Sequence, residues 1–487
     1  MEIKDLTIND IRLGLKNKKF TAVGITQEYL ARIKKVDPQI NAFITVAEEQ
    51  ALAAAKNLDN KISKGEEIGK LAGVPLAVKD LYLTQDIQTT AGSQMLKDYL
   101  PQYSSTIYSK LLAQDAIPVG KTNTDCYGFG VSTENSGYFI TKNPWDLTRV
   151  PGGSSGGSAA AIAADMAVIA TGTDTGSSIR QPSAFCSATG LKATYGRNSR
   201  YGITAMASSF DCPGPFAKNV FDLAIVESVM AGKDPQDATT SPLPVPDYLN
   251  EINNLNLKGL KIGLPKQYFT ENTQKEVVDA VKQAAATFAK LGANIIEVSV
   301  PDPNIALATY YIIIPSEISA NMARYDGIRF GQSVSGTKDL FNYYLETRGK
   351  FMEPEMKRRI IIGTYVLSAG YYDAYYLKAA KVRTVVKEAY QQVLKGVDVL
   401  FAPVAPTTAW KIGEKVQDPI QMYLADIYTI SVNVAGIPSL AVPCGFDNQG
   451  LPIGLQIIGN FFEESKLFAI GHKFQQLTDY HLQRPNI

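Results

Sequence analysis

Histidine is almost missing from this sequence. Only His472 and His481 occur among 487 residues, both within the last 16. A Ser-His-Asp arrangement needs an imidazole beside its nucleophile, and two histidines in a helix and tail at one end of the chain are poorly placed for it. Cysteine is scarce too: Cys126, Cys186, Cys212 and Cys444 form no C-x-x-C pair. Neither a zinc site nor a disulfide framework is suggested, and a reducing cytoplasm is the expected location. Charge of one sign is also lacking, since 48 Lys and Arg balance 47 Asp and Glu. Short groups such as KRR at 357–359 make no extended basic face, which disfavours tRNA or duplex binding by this chain alone. No apolar run reaches the length of a membrane span; AAAIAADMAVIA is short and carries an Asp. The opening MEIKDLTINDIRLGLKNKKF lacks a signal peptide's apolar core and a transit peptide's scarcity of acids. No membrane association is expected.

Apolar material, by contrast, is ample. Hydrophobic residues make up 45% of the chain and charged ones 20%, enough to bury a large core without disulfides or metals. TINDIRLGLKNKKF and TAVGITQEYLARIKKVDP read as two amphipathic helices with Thr7 and Thr21 as N-caps. VPLAVKD reads as a buried strand ending in a charged pair, AIPVGKTN as a strand entering a loop, and DMAVIATGTDTG as a strand feeding a turn. Residues 276–292 read as a helix with a glycine stop, followed by the strand NIIEVSV, and the same order recurs near residue 400. SLAVPCGF and PIGLQIIG read as a late pair of strands, and ESKLFAIGHKFQQLTD as a closing helix. Such alternation predicts an α/β layered fold around one large sheet. With no repeat or low-complexity linker to divide the chain, the expected organisation is a helical arm over 1–65 packed on a single domain over 66–487.

One stretch demands a chemical explanation. RVPGGSSGGSAAA, residues 149–161, places four glycines and three serines in the seven positions after Pro151. A flexible linker accounts for the composition, but linkers do not open straight into a helix former such as SAAAIAADMAV. A phosphate cradle at a helix N-terminus is a second reading, yet the lysine of G-x-x-x-x-G-K-[ST] and the spacing of G-x-G-x-x-G are both absent. The third reading makes a serine catalytic, and a serine needs a base. A buried neutral lysine can serve, and Lys79, at the end of VPLAV, is placed for desolvation. The competing role for Lys79 is a salt bridge with its neighbour Asp80. A second small-residue turn, ATGTDTGSSIRQPS at 170–183, could converge several backbone N–H groups around Gly176, as an oxyanion hole requires. An ordinary strand-to-helix turn has the same composition. One strand-end lysine and two Gly/Ser turns joined by a short helix make up the candidate constellation.

With these motifs in view, NPWDLTRVPGGSSGGSAAAIAA and GTDTGSSIRQPSAFCSATGLKATYGRNSRYG resemble the amidase signature family. GVPLAVKD, GKTNTDCYGFGVSTENS and AGIPSLAVPCGFDNQGLPIGLQIIG extend the match over essentially the whole chain. YDGIRFG, SAGYYDAYY, KVRT, APTTAWKIGEK and DPIQMYLADIYTISVNVAG resemble one branch of it, the glutaminase subunits of tRNA-dependent amidotransferases. The resemblance implies an α/β fold with one central mixed sheet covered by helices on both faces. It implies a Ser-Ser-Lys triad of Lys79 as base, Ser154 as bridge after a cis peptide bond, and Ser178 as nucleophile. Thr175, Gly176 and Ser177 would supply the oxyanion hole together with Ser178. Glutamine would be held by Arg359 or neighbouring Arg358 at its α-carboxylate and by Asp426 at its α-ammonium, with Tyr310 close by. For each of these charges a surface position on a helix is the competing reading.

The implied function is glutamine hydrolysis supplying ammonia to a partner that converts Glu-tRNA(Gln) or Asp-tRNA(Asn). B and C subunits are the expected partners, with tRNA contacted mainly through them. No cofactor or metal is expected in this chain; ATP and Mg2+ belong to the partner. A free-standing amidase acting on small amides is the alternative, and a non-enzymatic scaffold with a decayed serine cluster is a third. Several positions depart from the family pattern. Ser177 stands where Gly is common, which puts the geometry of that turn in question, because Gly tolerates positive φ and Ser rarely does. Thr124, Cys126 and Tyr127 replace a usual M-D-E-F context and change the pocket wall, while Ala91 and Ala193 stand where Cys and Pro are frequent.

Overall fold

The computed structural model describes residues 3–416 and 418–487. Eleven strands form its framework: β1 (Phe43–Val46), β2 (Pro75–Lys79), β3 (Ile117–Thr122), β4 (Ile169–Thr173), β5 (Thr189–Lys192), β6 (Pro213–Ala217), β7 (Lys261–Pro265), β8 (Asn294–Val298), β9 (Val399–Pro403), β10 (Ser439–Phe446) and β11 (Pro452–Ile458). They join in one sheet of order β1-β3-β2-β4-β6-β5-β10-β11-β9-β7-β8. β2 runs parallel to β3 and β4, and β7 runs parallel to β8 and β9. The centre from β4 to β9 is antiparallel, so the sheet is mixed.

Side chains alternate across a strand, and the apolar clusters follow that alternation. Leu76 and Val78 of β2 pack with the N-terminal helices, whereas Ala77 packs with helix Gly156–Ala163 on the opposite face. Val399 and Phe401 of β9 likewise enter a different cluster from Leu400 and Ala402. Helices therefore cover both faces, and strands buried on both faces read as continuous apolar runs. Helix Gly156–Ala163 is itself buried on every side, which its run of Gly, Ser and Ala allows.

The expected N-caps are present: the Thr7 side chain accepts from Asp10 N–H and the Thr21 side chain from Gly24 N–H. The N-terminal region read as a helical arm supplies three helices and, in addition, β1, which pairs antiparallel with β3 at the edge of the sheet.

Strand parity also sorts the charges. Lys79 shares the face of Ala77, while Asp80 follows in the opposite sense. On that other face Asp80 meets Lys121 of β3, which aligns with Val78. The Lys121 Nζ lies 3.0 Å from Asp80 Oδ1, with both side chains wholly buried, and donates to Tyr82 O at 2.9 Å and Thr89 Oγ1 at 2.7 Å. Asp80 is thereby taken, and the salt bridge weighed for Lys79 does not form. Breaking a buried pair from one side strands the other charge. Lys121→Met should therefore destabilise the protein by about 3–5 kcal/mol in chemical denaturation, whereas breaking an exposed ion pair such as Lys275–Asp279 should leave the denaturation curve nearly unchanged.

Candidate active site

β2 delivers Lys79 to the sheet face beneath helix Gly156–Ala163, and the chain entering that helix carries Ser154 and Ser155. The Lys79 Nζ lies 2.8 Å from each of three hydroxyls, those of Ser154, Ser155 and Thr173. Its backbone N–H is anchored by Thr171 Oγ1 at 2.9 Å. The Ser155 hydroxyl also donates to Thr173 O at 3.3 Å; its hydrogen is thus committed, and it accepts from the amine. A neutral amine donates twice and accepts once, which three hydroxyls can satisfy with Ser154 as the donor to its lone pair. Burial pushes the Lys79 pKa down to about 7, against the raising influence of Asp125, Asp174 and Asp211. Among the described residues none of these carboxylates makes an ion pair with it.

The Gly/Ser stretch folds as a close-packed turn. The Gly153–Ser154 peptide is cis, as the resemblance implies. A Cβ on Gly153 would lie 2.4 Å from Asp125 Oδ2 and 2.4 Å from Ser132 N, so no larger residue fits there. The turn meets the second cluster through Ser155 N–H, which donates to Ser178 O at 3.2 Å. Twenty-three positions apart in sequence, Ser155 and Ser178 become neighbours. The first leg of the expected relay, Lys79 to Ser154, is closed. The second is open, because the Ser178 Oγ bonds to no described residue. Hydroxyls that tighten only around a substrate are common in unliganded sites.

The Ser178 turn is fixed from below by a buried pair. Arg180 donates Nε to Asp174 Oδ2 at 3.0 Å and Nη2 to Asp174 Oδ1 at 2.9 Å, and reaches Gly176 O at 2.9 Å and Gln456 Oε1 at 2.6 Å. Asn433 Nδ2 adds a bond to Asp174 Oδ1 at 2.9 Å. Arg180 and these hydrogen bonds hold the Asp174 carboxyl down at about 2 in spite of complete burial. Asp174 Oδ2 also accepts the N–H of Ile179 at 3.1 Å. The N–H groups of Thr175, Gly176, Ser177 and Ser178 donate to no described residue, leaving four donors on one turn for an anionic oxygen. Ser177 does not have positive φ, so the replacement of the usual glycine introduces no left-handed strain.

The charges expected to hold substrate are not on the surface. Arg359, on helix Pro354–Leu367, is only 3% exposed. It donates Nε to Glu355 Oε1 at 2.8 Å and lies 5.7–5.9 Å from the rings of Phe129, Tyr311 and Tyr423. Arg358 bonds the other Glu355 oxygen with its side chain half-exposed. Of the two arginines, Arg359 faces the interior. Asp426, at the entry to helix Ile427–Ala435, is buried and accepts from the Ser177 hydroxyl. Burial pushes its carboxyl up to about 7. Tyr310, on helix Pro303–Met322, stands over Gly176, where an added Cβ would lie 2.8 Å from its hydroxyl. A cleft of about 290 Å³ opens beside Arg359, lined by Glu353, Glu355, Arg358, Met422 and Tyr423 among others. The Cys126 thiol donates to Glu353 Oε2 at 2.8 Å, tying one departure from the family pattern to the wall of that cleft. His472 and His481 touch none of these residues; His472 meets Gln476 and Phe221.

A model of the amidase family matches residues 24–468. This chain belongs to the amidase family. Among its curated relatives within the amidases, the A subunit of glutamyl-tRNA(Gln) amidotransferase from Microcystis aeruginosa is 52% identical over 480 residues, covering 99% of each chain. Its counterpart of the same name from Carboxydothermus hydrogenoformans is 49% identical over the full length of both. Among solved amidase structures, the equivalent glutamyl-tRNA(Gln) amidotransferase chain from Thermotoga maritima superposes with a TM-score of 0.80 at 39% identity, covering 97% of this chain and 94% of that one. The peptide amidase of Stenotrophomonas maltophilia gives 0.85 at 28% identity, covering 99% and 98%.

Reasoning from sequence missed Ser155, Thr173, Asp174 and Arg180. The signal for the last two lay in TDTGSSIR itself, where an acid and an arginine six positions apart bracket the turn.

Two expectations follow from this geometry. Gly176→Ala should drive the turn against Tyr310 and lower amide hydrolysis about 100-fold with the fold intact; adding Tyr310→Leu should recover part of the loss in the same assay. The folded pKa of Lys79 lies below its unfolded value of 10.5, so the stability cost of the charge is full below about pH 7 and fades as pH rises toward 10.5. Lys79→Met should gain stability over the wild type by an amount that shrinks by roughly 2 kcal/mol between pH 7 and pH 9, read from denaturation curves.

Proposed function

We propose that this chain is the glutamine-hydrolysing subunit of a tRNA-dependent amidotransferase. The observation that carries the reading is the burial of two unlike ionisable groups that act on one another, Arg359 and Asp426, with Asp426 bonded to the turn that bears Ser178. A simple aliphatic amide has no use for either. A free amino acid carries both complementary charges. Arg359 has Glu355 on its Nε only, which leaves its other guanidinium nitrogens for a carboxylate. Asp426 has the Ser177 hydroxyl and a long contact from Gln181 on one oxygen, which leaves the other for an ammonium. Full-length similarity to subunits named for this activity supports the same reading.

In the mechanism, neutral Lys79 takes a proton relayed through the Ser154 hydroxyl as Ser178 Oγ attacks the side-chain carboxamide carbon of glutamine. The N–H groups of Thr175, Gly176, Ser177 and Ser178 receive the developing oxyanion, and rigid donors aimed at that charge lower the barrier without reorganisation. The proton returns through Ser154 to the leaving nitrogen, ammonia departs, and water cleaves the glutamyl ester by the reverse relay. Arg359 pairs with the α-carboxylate, Asp426 with the α-ammonium, and Tyr310 closes the space over Gly176. Ammonia then passes to a partner subunit that amidates Glu-tRNA(Gln) or Asp-tRNA(Asn), where ATP and Mg2+ act. B and C subunits in the cytoplasm complete the assembly.

The test is ammonia release from glutamine, asparagine and a simple aliphatic amide, with the chain alone and with its partner subunits, and Ser178→Ala as blank. Glutamine-selective release that rises with the partners is the expected result. Activity should increase with pH through about 7 as Lys79 loses its proton and Asp426 ionises. Arg359→Lys should raise KM for glutamine more than it lowers kcat. Equal turnover of simple amides, independent of partners, overturns the reading in favour of a free-standing amidase.

A further inference from the structure

Ser177 sits in the oxyanion turn where glycine is the family's usual residue, and its side chain has found a specific partner. The residue is 1% exposed, and its hydroxyl donates to Asp426 Oδ1. The same oxygen lies 3.4 Å from Gln181 Nε2. Asp426 Oδ2 accepts from no described residue. The two carboxylate oxygens are therefore unlike: one is held by the chain, the other is open.

We propose that Ser177 is a substrate-positioning residue which orients Asp426 so that Oδ2 receives the α-ammonium of the substrate, and which links that anchor to the oxyanion turn. The proposal rests on the glutaminase reading above. A hydroxyl bonded to a carboxylate stabilises its ionised form. The other groups acting on Asp426 are Arg180 and Arg359, which favour ionisation, and Asp174, which opposes it. Tyr310 and Tyr311 also lie within reach of its charge. Burial already brings the carboxyl to about 7, so its charge at neutral pH responds to small changes in hydrogen bonding. With glycine at 177, Oδ1 would keep only the long contact from Gln181, the carboxyl would hold its proton to higher pH, and its attraction for a cation would weaken at neutrality. Because Ser177 lies between Gly176 and Ser178, a bound ammonium that fixes Asp426 also fixes the backbone donors on either side. Capture of the correct substrate thereby steadies the donors needed for its reaction.

The experiment compares Ser177→Gly, Ser177→Ala and Ser177→Thr with the wild type, each as the full chain with its partner subunits. Ammonia release is measured from glutamine and from propionamide, which has no ammonium group, between pH 6 and pH 9. For the Gly and Ala variants, kcat/KM on glutamine at pH 7 should fall about tenfold further than on propionamide, mainly through KM. The acid limb of the glutamine profile should move to higher pH, and the deficit should narrow toward pH 9. Ser177→Thr, which keeps the hydroxyl, should restore most of the difference. Equal losses on both substrates at every pH, or an acid limb that stays in place, would show that Ser177 only shapes the turn and overturn the proposal. If the wild type hydrolyses glutamine normally while these variants keep its pH profile, the role of Ser177 alone fails. If the wild type releases no ammonia from glutamine, the glutaminase reading falls and this proposal falls with it.

Discussion

The arrangement depends on a lysine amine held in a cage of hydroxyls with no carboxylate to pair it. Charged lysines are seldom buried, and the usual solution is an ion pair. Here burial outweighs the raising influence of three nearby carboxylates, and a pKa near 7 means the amine gives up its proton at the pH where a base is useful. The depression from 10.5 corresponds to about 5 kcal/mol of stability forgone at neutral pH. That cost has to be carried by the rest of the chain. Carboxylates that would spoil the effect are occupied elsewhere. Strand parity turns Asp80 to the far face and gives it Lys121. Arg180 and Asn433 engage Asp174. Asp125 accepts the N–H groups of Thr133 and Asn135 and is itself pushed up to about 6 by burial.

Much of this was legible in the residues. The scarcity of histidine pointed away from an imidazole base, and the strand ending at Lys79 fell where VPLAV predicted it. β3, β4, β8, β10 and β11 coincide with apolar runs read as strands. The strands that escaped notice, FITV, TGLK, PGPFA and KIGLP, are only four or five residues long, and three of them contain glycine or proline. Such segments carry no alternation or length to mark them; pairing partners far away in sequence make them strands. The first two helices were legible from their caps, Thr7 and Thr21, but the edge strand that follows them was not.

The site divides in the same way. Lys79, Ser154 and Ser178 could be placed by motif. The structure brings the main chain of the two serine turns together and sets Lys79 against Ser154, while leaving the Ser178 hydroxyl free. Ser155 and Thr173 looked like more of the same small residues, because a hydroxyl's role depends on what faces it. The choice between Arg358 and Arg359 is a question of helix phase. Adjacent residues on a helix point about 100° apart, so one arginine turns inward among Phe129, Tyr311 and Tyr423 and the other outward.

The position at 177 shows why a family pattern is an incomplete guide to an individual site. Judged by backbone conformation, serine in place of glycine looked like a strain on the turn, since a positive φ would have penalised it. The observed turn needs no such φ there, and the added hydroxyl has a buried acceptor. What matters is the environment of the new atom rather than the freedom lost with the old residue. Cys126 teaches the same lesson. In an apolar wall it would be a small hydrophobe, yet its thiol faces Glu353, which also accepts from Ser93 Oγ and Gln94 N–H. Glu353 begins the helix that carries Arg359. A departure at 126 is therefore felt at the helix that carries Arg359, although neither its sequence position nor its residue type announces a connection.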